Sequence, residues 1–261
     1  MIHFKWGDAP SLSTLSRGVG GSLGDISITS KIKIINTNFM LDFGKPKGDV
    51  MDQLEEFHYF SSPVYAMKKP EFLEPIRAIS KRLLEQSKKR HKGKNPMTLM
   101  TTNFSNDPQA AEFAQYISQT TWNILHSQGF NVENIVTYFT EMWTQEHNFH
   151  SAMDQHIHGS GAQYSAFYFL EVPENSCKMI VYDPRPAKVI IGLPEADGSK
   201  VTPAASQIVF KPEVGTIIFT PAWLPHSFTR NLNKTKSVQF VHMNMGVAPA
   251  PAEENPSVEV I

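Results

Sequence analysis

The sequence predicts a mainly β protein, an antiparallel sandwich or jelly roll with flanking helices. From about residue 132 the chain becomes a succession of short β-branched and aromatic segments: "VENIVTYFTEMW", "QYSAFYFLEV", "KMIVYD", "QIVFKP", "GTIIFTP" and "KSVQFVHMN". Pro, Gly, Asn or Asp separates them, as expected of residues that end strands and turn the chain. Ahead of that point the apolar spacing is helical, twice over. Many short strands with turn residues between them pack as a sandwich or jelly roll.

The elements follow in order. Residues 1–30, with "SRGVGGSLGDIS", are rich in Gly and Ser and read as loop. "KIKIIN" (31–36) reads as a short strand. "PEFLEPIRAISKRLLEQSKKR" (70–90) reads as a helix, because Phe72, Ile76, Ile79 and Leu83 recur at helical spacing and its basic end complements the helix dipole. A second helix is expected over 106–130. Asn106 or Asp107 is its N-cap, Pro108 suits the first turn, Phe113, Ile117 and Ile124 share a face, and Gly129 stops it. The tail "VAPAPAEENPSVEVI" is rich in Pro and Glu and reads as disordered. The division expected is an N-terminal loop and helical segment over 1–130 that braces the core, a β core over 131–247, and a tail over 248–261.

Composition narrows the function classes. A chain of 261 residues can bury a substantial core, and 41% apolar with 19% charged residues is ordinary for a globular protein. The net charge of −1 offers no basic field for nucleic acid. No stretch approaches the ~18–20 apolar residues of a membrane span, and the start, "MIHFKWGDAPSLS", lacks a signal-peptide pattern. The single cysteine, Cys177, excludes an internal disulfide and fits a reducing compartment, so a cytoplasmic protein is expected.

The chemistry is carried by histidines. "MDQHIHGSG" (153–161) sets His156 and His158 two apart, which on an extended strand aims both imidazoles to one side. By itself a His-x-His pair is more often two exposed loop histidines. Downstream, "GTIIFTPAWLPHSF" (215–228) supplies His226 at the start of another segment. Two histidines from one strand and one from a distant strand make an open three-ligand metal site.

The run "HIHGSGAQYSAFYFLEVP", "MIVYDPRP" and "VFKPEVGTIIFTPAWLPHSF" resembles the Fe(II)/2-oxoglutarate-dependent oxygenases of the prolyl-hydroxylase-like group. Within it the pattern is most similar to the branch found in bacteria and cyanophages. The resemblance spans roughly residues 130–245. It implies a double-stranded β-helix core and Fe(II) held by His156, His158 and His226. One position departs from the pattern: His158 stands where an Asp or Glu usually completes two histidines and a carboxylate. Asp154 as the carboxylate, or zinc as the metal, stays open as an alternative.

The resemblance also implies a cation for the distal carboxylate of 2-oxoglutarate. Lys236, ten residues beyond His226, is the first choice and Arg230 the second, since guanidinium pairs best with a carboxylate. Tyr168 matches a family tyrosine that bonds the cosubstrate, and Tyr164, on the same strand face, competes for that role. Asp183 and Arg185 in "YDPRP" order a substrate loop or form a local ion pair, the latter being the simpler reading. His147 and His150 read as exposed or hydrogen-bonded, and His242 as a lining of the interior. "KKRHKGK" (88–94) reads as a solvated helix end and Cys177 as inert.

The function expected is a non-haem iron dioxygenase that converts 2-oxoglutarate and O2 to succinate and CO2 while hydroxylating a second molecule. That substrate, a protein side chain, nucleobase or small metabolite, is not written in the sequence. Two other classes compete: a cupin-like metalloenzyme using the same histidines without 2-oxoglutarate, and a non-catalytic jelly-roll protein such as a phage structural part.

Overall fold

The structure, a computed structural model, describes residues 55, 59–91, 94, 96–159 and 161–251. The expected strand at 31–36, the Gly/Ser-rich start and residues 252–261 of the tail lie outside the described residues.

Among the described residues ten strands and two α-helices follow one another: β1 (Tyr65–Lys68), α1 (Leu73–Arg90), β2 (Thr98–Met100), α2 (Ala111–Ser127), β3 (Ile135–His147), β4 (Met153–His156), β5 (Ala162–Glu171), β6 (Met179–Tyr182), β7 (Gln207–Phe210), β8 (Thr216–Pro221), β9 (His226–Phe228) and β10 (Val238–Pro249). They form a six-stranded sheet in the order β1-β8-β5-β10-β3-β2 and a four-stranded sheet in the order β4-β9-β6-β7. Every pairing is antiparallel. From β3 onward the chain crosses repeatedly between the two sheets, the winding of a double-stranded β-helix.

Both helices form where the apolar spacing predicts them. Each opens with a short 3-10 turn, Pro70–Phe72 and Pro108–Ala110, because proline fits the first turn but donates no hydrogen bond. Asp107 is the cap of the second: its side chain accepts from the Gln109 N–H at 2.9 Å. Gly129 ends it at φ +88°, a conformation other side chains rarely adopt.

Strand β5 explains the layering. Tyr164, Ala166, Tyr168 and Leu170 face the helices and join Ile76, Ile79, Phe113 and Ile117 in one apolar cluster. The alternate residues Phe167 and Phe169 face the other sheet and cluster with Phe228, Val238 and Phe240. A strand covered on both sides reads as continuously apolar rather than alternating. Each fully buried isoleucine of α1 contributes roughly 1.5–3 kcal/mol, and the Ser80 and Thr144 hydroxyls, 2.7 Å apart, fix the helix to β3. The helices therefore pack on the outside of the larger sheet, as their single apolar stripes require.

The division at residue 130 is less clean than the sequence implies. β1 and β2, both ahead of it, extend the larger sheet at its two edges through β8 and β3. Neither carries a strand-length apolar run, and pairing with a long neighbour makes them strands.

Candidate metal centre

His156 closes β4 and His226 opens β9, and the two are direct cross-strand partners. His158 lies two residues beyond the end of β4. Its backbone N–H donates to the Ala222 carbonyl at 2.9 Å, which ties it to the turn leading into β9. One ligand nitrogen from each imidazole falls within 4.8 Å of the other two, and the His158 and His226 Nε2 atoms are 3.1 Å apart. The three histidines thus meet at one mouth between the sheets.

Hydrogen bonding sets which nitrogen is available. His156 Nδ1 lies 2.8 Å from the Asp154 carbonyl and His226 Nδ1 lies 3.0 Å from the Leu224 carbonyl. A carbonyl only accepts, so both protons sit on Nδ1 and both Nε2 lone pairs are free to bind a metal. His226 Nε2, lacking a proton, accepts from His158 Nε2–H. His158 Nδ1 then accepts from the Asn244 amide at 3.2 Å, and the same amide donates to Glu141 at 2.7 Å.

Burial, and then the neighbouring imidazoles, push His158 down to about 4. Burial does the same to the fully buried His226. Both are neutral near pH 7, the form in which imidazole ligates. Asp154 is exposed and contributes its backbone carbonyl to His156, so the clustered donors among the described residues are three imidazoles.

The expected cosubstrate anchors are placed differently. Lys236 is exposed in the turn before β10. Its N–H donates to the Asn233 side chain at 2.8 Å, and its carbonyl accepts from Asn231 at 3.2 Å. Those asparagine turns direct Lys236 outward, and the first inward positions of β10 are Val238 and Phe240, packed on Phe228 and Phe169. Arg230 is exposed just after β9. Tyr168 and Tyr164 lie on the helix side of β5, where Tyr168 donates to the Lys69 carbonyl at 2.7 Å and the Tyr164 hydroxyl meets Gln128. All four therefore stand away from the histidine mouth: strand parity turns the tyrosines out, and Asx turns expel the lysine. Among the described residues no Lys or Arg is buried.

Asp183 pairs with Arg185 and Lys188, and these charges hold its carboxyl well below the usual range. The Tyr182 N–H bonds to the Pro225 carbonyl, setting this ion cluster beside His226. His147 is fully buried and bonded to Ser151 and Gln145, and Cys177 is buried with its thiol pushed up to about 12.

Facing the histidines from the larger sheet are side chains the sequence did not mark, Asn244, Trp143 and Thr220, together with His242. The His242 ring lies 4.8 Å from that of His158 and stacks on Trp143 at 4.9 Å. Both His242 nitrogens, Trp143 Nε1 and the Thr220 hydroxyl are buried without a hydrogen-bond partner. Orphaned buried donors cost roughly 1–3 kcal/mol each. Their clustering beside the metal mouth fits a polar ligand there. His242 lines the interior as the sequence led one to expect, and parity along β10, which puts 238, 240, 242 and 244 on one face, is the signal that could have found Asn244.

Burial of neutral histidines makes acid sensitivity an expected property. His147, pushed down to about 4 by burial, takes its proton more readily when unfolded, where the ordinary value is 6.5. Stability from this group is present above 6.5, falls as pH drops through the window from 6.5 to 4, and changes no further once the folded form also protonates. Between pH 7 and pH 5 it contributes a loss of about 2 kcal/mol. Thermal unfolding of the metal-free chain should show a clearly lower midpoint at pH 5, and an equal midpoint would show that His147 is not held neutral.

Residues 141–241 match the family described as "Putative 2OG-Fe(II) oxygenase". No curated protein matches the chain by sequence. Among solved structures, AviO1 from Streptomyces viridochromogenes Tue57 is similar at a TM-score of 0.51 and 14% identity, over 73% of this chain and 93% of that one. The non-heme alpha ketoglutarate dependent carbocyclase SnoK from nogalamycin biosynthesis follows at 0.50 and 10%, over 75% and 85%. A prolyl-4-hydroxylase from Pseudomonas putida is similar at 0.46 and 10%, over 71% and 93%. The structural likeness is one of fold. The family match lies within β3–β10, the strands that bring the three imidazoles to the mouth.

Proposed function

We propose that the chain is a non-haem iron dioxygenase that couples oxidative decarboxylation of 2-oxoglutarate to hydroxylation of a second substrate. The observation that carries this reading is the convergence of His156, His158 and His226, two of them fixed by backbone carbonyls with Nε2 free. The bound iron would supply oxygen activation and chelate the cosubstrate through its 2-oxo acid end. The chain's own contribution is positioning. Asp154 and Leu224 carbonyls orient two ligands with Nε2 free, and His158, held beside Asn244, would ligate through Nε2 once its proton has moved to Nδ1. Phe167 packs edge-on against His226 at 5.3 Å and keeps that side dry. The rim, with exposed Ile157 and Trp223 flanking the ligands, suits an apolar contact with the second substrate.

The test is succinate formation from 2-oxoglutarate with Fe(II) and O2, measured with and without His226→Ala. Succinate from the wild type alone supports the reading. Iron bound by the wild type with no succinate formed would favour the cupin-like alternative, to which the all-histidine donor set is ordinary. We also infer action in a reducing compartment such as the cytoplasm. This is supported by the single buried Cys177, and among the described residues no helix is long and apolar enough to cross a membrane.

A further inference from the structure

We propose that this site holds the distal carboxylate of its 2-oxo acid without a lysine or arginine, through the N–H groups of Trp143 and His242. The proposal rests on the oxygenase reading above. Two observations carry it. Among the described residues no basic side chain is buried between the sheets, and the positions from which β10 could send one inward hold Val238 and Phe240. In the same interior, beside His158, the stacked pair Trp143 and His242 leaves Trp143 Nε1 and both His242 nitrogens buried and unpartnered. His242 is 2% exposed, so bulk solvent does not reach it.

Charge balance explains how such an anchor can suffice. A site with two histidines, one carboxylate and one basic anchor is neutral once Fe(II) and the dianionic 2-oxoglutarate are bound. Replacing the carboxylate with His158 adds one positive charge, and omitting the basic anchor removes one. The sum is again neutral, so the two departures compensate and no net charge is buried. Glu141, one amide away from His158 and half exposed, is screened by solvent. An indole N–H and an imidazole N–H remain as donors for the distal oxygens.

Isothermal titration of the Fe(II)-loaded chain under anaerobic conditions tests this, with 2-oxoglutarate and pyruvate as ligands. Pyruvate keeps the chelating end and lacks the distal carboxylate. Trp143→Phe and His242→Phe keep an aromatic ring in the stack but remove the donors. Each should weaken 2-oxoglutarate binding by roughly five- to tenfold and leave pyruvate binding within about twofold. Metal content, measured alongside, should stay at the wild-type level. Lys236→Ala and Arg230→Ala should leave both ligands unaffected. The anchor is overturned if both phenylalanine variants bind 2-oxoglutarate as the wild type does, if Lys236→Ala weakens it, or if both variants lose their metal. A wild-type chain that holds iron but binds neither ligand would overturn the oxygenase reading together with the anchor.

Discussion

Replacing His226 with alanine is expected to lower iron affinity by at least about a hundredfold and to abolish turnover, while the chain still folds. Removing a partner that merely orients a ligand already costs roughly ten- to a hundredfold, and His226 offers the bare Nε2 itself. An open site with three protein ligands has none to spare. The fold should persist, because His226 sits in a short strand whose neighbours Ser227 and Phe228 keep their pairing with β6. Metal content after gel filtration checks the result, together with far-ultraviolet circular dichroism. His156→Ala and His158→Ala should behave alike. Asp154→Ala should not, since that residue works through its backbone. Full iron occupancy in His158→Ala would contradict the three-histidine assignment.

Phe167→Ala is expected to cost about 3–5 kcal/mol of stability. The ring is fully buried and meets His226, Phe228, Phe240 and His242 at centroid distances of 5.3, 5.4, 6.0 and 5.4 Å. It is the point at which the aromatic interior joins the metal mouth. Close packing leaves no neighbour free to fill the vacated space without disturbing a ligand. Against a typical total of about 5–15 kcal/mol, this is a large fraction. Urea unfolding should show a correspondingly lower midpoint, and Phe167→Leu should recover most of it. A loss below about 1 kcal/mol for the alanine variant would show that the ring is not a central packing element.

The parts legible in the sequence were those with a local signal. Helical spacing at Ile76, Ile79 and Leu83 and at Phe113, Ile117 and Ile124 marked both helices, and each of those residues is buried. Six β-rich segments became β3, β5, β6, β7, β8 and β10. Short strands such as β9 carry too few residues for any periodicity and exist because a neighbour pairs with them. The clustering of His156, His158 and His226 was legible because residue type and order survive in one dimension. The cosubstrate anchors were not, because they depend on which way a side chain turns. On β5, Tyr168 and Phe167 are adjacent and equally aromatic, and only the position of the helices decides which faces the metal. Lys236 fails for a similar reason: its spacing from His226 suits the role, but Asn231 and Asn233 fold the intervening loop so that it points to solvent.

The most direct measurement is anaerobic titration of the metal-free chain with Fe(II) in the presence of 2-oxoglutarate, followed by visible absorption. The expected result is a charge-transfer band that saturates at one iron per chain, requires both components, and is lost in His156→Ala, His158→Ala and His226→Ala. A chain that takes up iron at these histidines yet shows no band with 2-oxoglutarate would contradict the dioxygenase function.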